Sequence, residues 1–216
     1  MSAMFHDRTE AGAQLGEALV ERDIDADIVL AIPRGGLPLG RAVADALSLP
    51  LDIIVARKIG APHNSELAIG AVGSDGSVWL NDDLMSRVGV DDAYLEAQRQ
   101  QETENAREKA ERYRGDRPSP DLTDKRVVIV DDGVATGATT MACIRLARES
   151  GAEAVILAVP VGPPDSIADL EEAADTVVCL ETPQYFQAVG QFYDRFDQVT
   201  DEEAMQYLDR DAETAP

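Results

Sequence analysis

Arg126-Val-Val-Ile-Val-Asp-Asp-Gly-Val-Ala-Thr-Gly-Ala-Thr-Thr140 joins a short apolar run to two carboxylates and then to a small, hydroxyl-rich loop. Val127, Val128, Ile129 and Val130 are β-branched and do not alternate with polar residues, the pattern of a strand covered on both faces in a parallel sheet. Gly133 and Gly137 let backbone N–H groups approach an anion closely. Thr136, Thr139 and Thr140 offer hydroxyls, and Met141 to Glu149 has helical spacing, so the positive end of a helix dipole faces the same point. An ordinary Thr-capped turn would account for Thr136 or Thr139, but not for Asp131-Asp132. Two carboxylates about 4 Å apart repel by roughly 1 to 4 kcal/mol, depending on the local dielectric, unless donors or a cation compensate. A hydroxyl-rich ligand accompanied by magnesium would do so. Gly133-x3-Gly137-Ala138-Thr139 lacks the lysine and the spacing of a P-loop, and no G-x-G-x-x-G opens a helix in the chain.

A second strand-loop-helix unit lies upstream. Asp27-Ile-Val-Leu-Ala-Ile32 reads as a strand running into Pro33-Arg-Gly-Gly-Leu-Pro38, before a helix from Leu39 to Leu47. One arginine among glycines and prolines suits a tight anion-binding turn, with Gly35 and Gly36 for backbone approach and Arg34 for charge; a plain turn would have the same punctuation. A third candidate strand, Leu51 to Ala56, ends in the basic pair Arg57-Lys58, which a surface salt bridge would also explain.

Ile129-Val-Asp-Asp-Gly-Val-Ala-Thr-Gly-Ala-Thr-Thr140 resembles the phosphoribosyl pyrophosphate motif of the type I phosphoribosyltransferases. The turn at Arg34 is similar to that family's short pyrophosphate loop, which contains an unusual peptide geometry. Arg57-Lys58 is similar to a pair that contacts pyrophosphate oxygens in the orotate and adenine members. The resemblance implies an α/β, flavodoxin-like doubly wound, mainly parallel sheet with a small hood and a flexible β-hairpin loop, its ligand at the carboxyl ends of the strands. It implies displacement of pyrophosphate from C1 of phosphoribosyl pyrophosphate by a ring nitrogen of a base. Asp131 and Asp132 would hold the ribose hydroxyls and are the candidate metal ligands. Ala135, Thr136, Gly137, Ala138, Thr139 and Thr140 would cradle the 5′-phosphate. Arg34, Gly35, Gly36, Arg57 and Lys58 would take the pyrophosphate, and Asp131, Asp132, Arg57 and Lys58 form the catalytic set. Mg2+ would be held mainly by substrate oxygens and water. The chain departs from the family at Ala135, where hypoxanthine-guanine members carry an Asp that acts on the purine, so 6-oxopurines are disfavoured as acceptors. A regulator that binds the same ligand without turnover is the competing reading.

Composition narrows the rest. The 216 residues suit one domain, and a 44% hydrophobic content says globular. The formal charge of −22, from 41 acidic and 19 basic residues, makes nucleic acid a poor partner. The acids are spread along the chain as a solvated coat, and lysine occurs only at Lys58, Lys109 and Lys125, a pattern suited to high salt. No apolar run is long enough for a membrane span and the N-terminus lacks a secretory core, so a cytoplasmic location is expected. Cys143 and Cys179 read as buried small hydrophobes.

Arg8 to Glu21 reads as an amphipathic cover helix. Leu67 to Val72 and Ser77 to Leu80 read as a hairpin within a loop segment of about residues 59–83, where the family's flexible loop lies. His63 reads as polar surface, Glu66 as a candidate polar group near the loop, and Trp79 as a hairpin core residue. Asp91 to Arg114 is a long polar helix expected to lie exposed or at the contact of a homodimer. Glu153 to Pro160 and Thr176 to Leu180 are further strands, with a helix from Pro163 to Ala174 between them. The segment of about 181–209 is the expected hood. It carries Tyr185, Phe186, Phe192, Tyr193, Phe196 and Tyr207, which would either cover a sheet edge or stack on a base. Phe186, Phe192 and Tyr193 are the candidate base contacts.

Overall fold

A computed structural model describes residues 4–115 and 117–209, with Ser65 and Glu66 described by their backbone alone. The side chain of Glu66, expected near the loop, therefore lies outside the described residues.

Five parallel strands form the main sheet: β1 (Ile28–Ala31), β2 (Leu51–Ile53), β6 (Arg126–Val130), β7 (Ala154–Val161) and β8 (Thr176–Glu181), in the order β2-β1-β6-β7-β8. Numbered among themselves, these strands run 2-1-3-4-5, the flavodoxin-like order, and the chain reverses direction of winding between β1 and β6. The expected doubly wound α/β sheet is thus observed.

The non-alternating run in β6 has its explanation in the two faces. Val128 and Val130 join one buried cluster with Leu15 and Leu19 of helix α1 (Arg8–Glu21), and with Leu37, Leu39 and Val43 of α2 (Gly36–Leu47). Val127 and Ile129 join the other with Cys143, Ile144 and Ala147 of α5 (Ala138–Glu149) and with Ile167 and Leu170 of α6 (Pro164–Glu171). A period-2 strand with both sides buried has no polar side to show.

Three strands stand apart in an antiparallel sheet: β3 (Ala56–Ala61), β4 (Asn64–Gly73) and β5 (Val78–Leu80). The hairpin is there, but the expected strand Leu51–Ala56 divides: the core sheet loses the chain after Ile53, and Arg57 and Lys58 open β3 rather than closing a core strand. Ala71 and Trp79 of this small sheet pack with Ala142 and Leu146 of α5, which fixes the hairpin beside the loop that follows β6.

Two further helices, α3 (Asp82–Val88) and α7 (Asp201–Asp209), lie where the sequence raises no expectation of one. The long helix α4 (Asp92–Arg114) differs from its expectation. Ala106, Ala110 and Tyr113 are buried against the chain itself, and Tyr94 and Leu95 pack on the small sheet. Its apolar residues are few because the stripe that docks is narrow, and the rest of the surface is solvated.

Candidate functional site

The carboxyl ends of β1 and β6 meet at the switch point. Past β1 the Ile32 N–H donates to the Val130 carbonyl at 2.9 Å, and Gly36 N–H returns to the Ile32 carbonyl at 3.0 Å. The turn Pro33 to Gly36 is thereby folded directly over the end of β6. A Cβ on Gly36 would come within 2.6 Å of the Val130 carbonyl oxygen, and one on Gly35 would collide with the Asp132 carboxylate. Only glycine permits that approach. The peptide bond between Pro33 and Arg34 is cis, an unusual peptide in the turn where the resemblance implied one.

Asp131 and Asp132 part at this point. Both lie just past the last residue of β6, and of the two only Asp132 has a cation paired to it among the described residues. Asp132 accepts from Arg8 Nε at 2.8 Å, a pair only 12% and 16% exposed at its side chains. Arg8 also donates to the Asp197 carbonyl at 2.6 Å and lies 3.8 Å over the Phe196 ring. Asp131 accepts from the Asp132 N–H at 2.9 Å and lies on the side of Cys143 and Lys109. Burial and the Asp132 charge push the Asp131 carboxyl well above the usual carboxylate range, with the Asp132 N–H and then Lys109 opposing. Burial also raises Asp132, against the pull of Arg8. The Asp132 charge is thus part of what raises Asp131, and the charges of Lys109 and Arg8 oppose it.

The loop after β6 ends in Gly137 at φ 75°, the left-handed region, as N-cap of α5, and no side chain caps the helix. The first-turn N–H groups therefore await an acceptor. Thr136 and Thr139 are exposed beside them, together with Ala135 and Ala138. Thr140 differs from expectation: at 3% exposure it is turned into the protein, because it falls on the α5 face that carries Cys143, Ile144 and Ala147. A cleft of about 430 Å³ opens here, lined by Thr136, Thr139, Arg57, Lys58, Tyr94 and Glu102 among others.

The basic residues converge on the same place with carboxylates attached. Arg57 Nε donates to Glu102 of α4 at 2.9 Å. Arg34 donates to Asp201 at 3.2 Å, and Asp201 also accepts from Tyr113 Oη at 2.9 Å and pairs with Arg112 at 3.5 Å. Lys109 of α4 donates to the Pro33 carbonyl at 3.1 Å; burial lowers its pKa, opposed by Cys143 and Asp131 and reinforced by Arg57 and Arg34.

The aromatic tail is placed otherwise than a stacking face requires. Phe192 and Tyr193 are 3% and 6% exposed. Tyr193 packs on Phe5 at 5.4 Å and Phe196 at 4.9 Å between ring centres, and its hydroxyl donates to the Asp132 carbonyl at 2.6 Å. These two rings are core, drawn in by the apolar face of the sheet, and offer no free face to a base. Phe186, half-buried on Phe192 with centroids 5.1 Å apart, retains an open side, while the neighbouring Tyr185 is 81% exposed. His63 is an exposed turn residue, as expected.

Arg8, Lys109, Glu102 and Asp201 meet the site without belonging to any motif of the sequence. Arg8 stands 124 residues from Asp132, and no spacing rule links them. Lys109 did leave a trace. It lies three residues after Ala106 and four before Tyr113, hence on the docking stripe of α4, where a lysine is out of place unless it has work to do.

Geometry of this kind, a doubly wound sheet with an anion-ready helix end and two acids at the switch point, is matched by what the chain is similar to. The phosphoribosyl transferase domain family matches residues 5–196, and the chain belongs to that family. Two proteins of Mycobacterium tuberculosis, "Putative phosphoribosyl transferase MT0597" of strain CDC 1551 / Oshkosh and "Putative phosphoribosyl transferase Rv0571c" of strain ATCC 25618 / H37Rv, are each 46% identical to it over 207 residues. That match covers 96% of the chain and 47% of each relative, so the chain spans about half the length of the curated relatives it matches. The crystal structure of TT1426 from Thermus thermophilus is 42% identical and superposes with a TM-score of 0.88 over 94% of this chain and 97% of that one.

Proposed function

We propose that the chain is a phosphoribosyltransferase that moves the 5-phosphoribosyl group from phosphoribosyl pyrophosphate to a nitrogenous base with release of pyrophosphate. The observation that carries this reading is the convergence, at one switch point, of an uncapped helix N-terminus, a pair of acids and a glycine turn bearing a cation. In this reading residues 1–216 act as one domain, with the hairpin closing over the cleft and the tail serving as hood.

The 5′-phosphate rests on the N–H groups of the α5 start, with Thr136 and Thr139 adding hydroxyl donors and Ala135, Gly137 and Ala138 supplying backbone. Asp131 takes the ribose hydroxyls. Asp132, held by Arg8, completes that side and fixes the glycine turn beneath the pyrophosphate. Arg34, Gly35 and Gly36 receive the pyrophosphate from one side and Arg57 with Lys58 from the other. Arg57 and Arg34 exchange Glu102 and Asp201 for phosphate oxygens as the donor enters, so both acids act as placeholders. Among the described residues no group of three or more His, Cys, Asp or Glu is arranged to hold a metal ion. Asp131 and Asp132 are the carboxylates that would face a magnesium ion bound mainly by pyrophosphate oxygens and water, and such an ion would supply neutralisation of the leaving group's charge. Most of the protein's contribution is positioning and electrostatic stabilisation of a cation-like ribosyl group.

A panel of bases incubated with phosphoribosyl pyrophosphate and magnesium, followed by pyrophosphate release, tests the reading. Release with a base supports transfer, and tight donor binding with no release from any base points to a regulator. Ala135 predicts that hypoxanthine and guanine are poor acceptors. Asp131→Asn combined with Asp132→Asn is expected to abolish donor binding; unchanged affinity would refute the site.

A further inference from the structure

Lys109 is an ammonium placed where charge is already plentiful. It is carried by the face of α4 that also buries Ala106, Ala110 and Tyr113, and it hangs over the turn between β1 and α2. One of its three N–H donors goes to the Pro33 carbonyl at 3.1 Å, and it forms no ion pair among the described residues. Arg57 and Arg34 lie close enough to disfavour its charge, while Cys143 and the buried Asp131 favour it. Asp201 and Glu102 are taken by the two arginines, and burial pushes Asp131 toward its neutral form, so the ammonium is only partly compensated by the protein's own acids. In a chain of charge −22 with only three lysines, that arrangement calls for a polyanionic ligand rather than for a protein partner.

Building on the phosphoribosyl transfer reading, we infer that Lys109 is a donor-binding residue, its ammonium contacting the pyrophosphate between the two arginines while it holds the Pro33 carbonyl. The contact belongs to the leaving group and not to the sugar phosphate, since the 5′-phosphate cradle lies at the start of α5 and Lys109 stands over the Pro33–Arg34 turn. It also gives α4 a role in ligand binding: Glu102 and Lys109 are seven residues apart, two turns of one face, and both address the pyrophosphate cations.

Lys109→Gln is the informative variant, because the amide can still donate to the Pro33 carbonyl but carries no charge. Calorimetric titration with inorganic pyrophosphate and magnesium, with phosphoribosyl pyrophosphate, and with ribose 5-phosphate reads the result. The expected outcome is at least a tenfold loss for the first two ligands and a change under twofold for ribose 5-phosphate, with the melting temperature unchanged. Equal pyrophosphate affinity in the variant and the wild type overturns the inference alone. A wild-type protein that binds no phosphoribosyl pyrophosphate overturns the proposed function, and the inference with it. Should the variant misfold, reductive methylation of the wild type reads the same contact: Lys109 is expected to be protected by pyrophosphate and Lys125 not, and an unprotected Lys109 overturns it.

Discussion

Asp131 and Asp132 are neighbours in sequence and face different surroundings in space, and their protonation follows from that. Burial raises both carboxyls, while in the unfolded chain an Asp titrates near about 3.9. Between the unfolded and the raised folded values the native state binds more protons than the unfolded state, so stability declines as pH rises through that window. Asp131→Asn keeps an oxygen to accept the Asp132 N–H and removes the penalised charge. The variant is expected to melt higher than the wild type near neutrality and equally at a pH below the ordinary carboxylate range, measured by calorimetry across pH; a difference that persists in acid would contradict it. The same substitution should cost donor binding, a trade of stability for function at one residue. Arg8→Ala has the opposite sign. It strands Asp132 in a part-buried site and removes the cation over Phe196, so a loss on the order of 3 kcal/mol is expected in denaturant unfolding.

Individual elements divide sharply in how far sequence could reveal them. The core strands were readable because β-branched runs bounded by turn residues have few other uses, and the loop from Asp131 to Thr139 was readable because its residue types are chemical as well as structural. The division of Leu51–Ala61 into two strands in different sheets was not, since a change of sheet leaves no mark on local propensity. Nor was the fate of Phe192 and Tyr193: an aromatic that covers a core and one that stacks on a ligand look alike until the fold decides which side is wet. Helix α4 is the clearest case. Its polar composition concealed a narrow docking stripe, and with it the residues Glu102, Lys109 and Tyr113 that meet the site. Tyr113→Phe removes the hydroxyl that holds Asp201, and a loss of about 1 kcal/mol in unfolding free energy is expected, together with altered pyrophosphate binding as Arg34 exchanges a less firmly held placeholder. A variant that unfolds sooner yet binds pyrophosphate normally would confine Tyr113 to a packing role.

On the scale of the whole molecule, charge is the dominant unusual quantity. Forty-one acidic residues against nineteen basic give a self-repulsion that salt screens within about 10 Å at 0.1 M and about 3 Å at 1 M. The melting temperature is therefore expected to climb as KCl rises from millimolar to molar, and a flat or falling curve would show that the acidic coat carries no such penalty. No helix of the described residues is long and apolar enough to cross a membrane. Against this acidic background Arg8, Arg34 and Arg57 stand near the switch point, each with a carboxylate attached, and Lys109 stands among them with no ion pair among the described residues.

The link from Arg34 to Asp201 has a practical consequence for where this unit may be cut. The family match ends at residue 196, and a fragment trimmed to that limit would retain every motif by which the chain is recognised. It would lose Asp201, the shared anchor of Arg34, Arg112 and Tyr113, and with it all of α7. Ala204 and Leu208 of that helix are buried in the same cluster as Phe192 and Tyr193, so the exposed edge would be apolar. A fragment that keeps this anchor and the cover of that cluster therefore extends at least through the last turn of α7, and the acid that decides it lies in no motif.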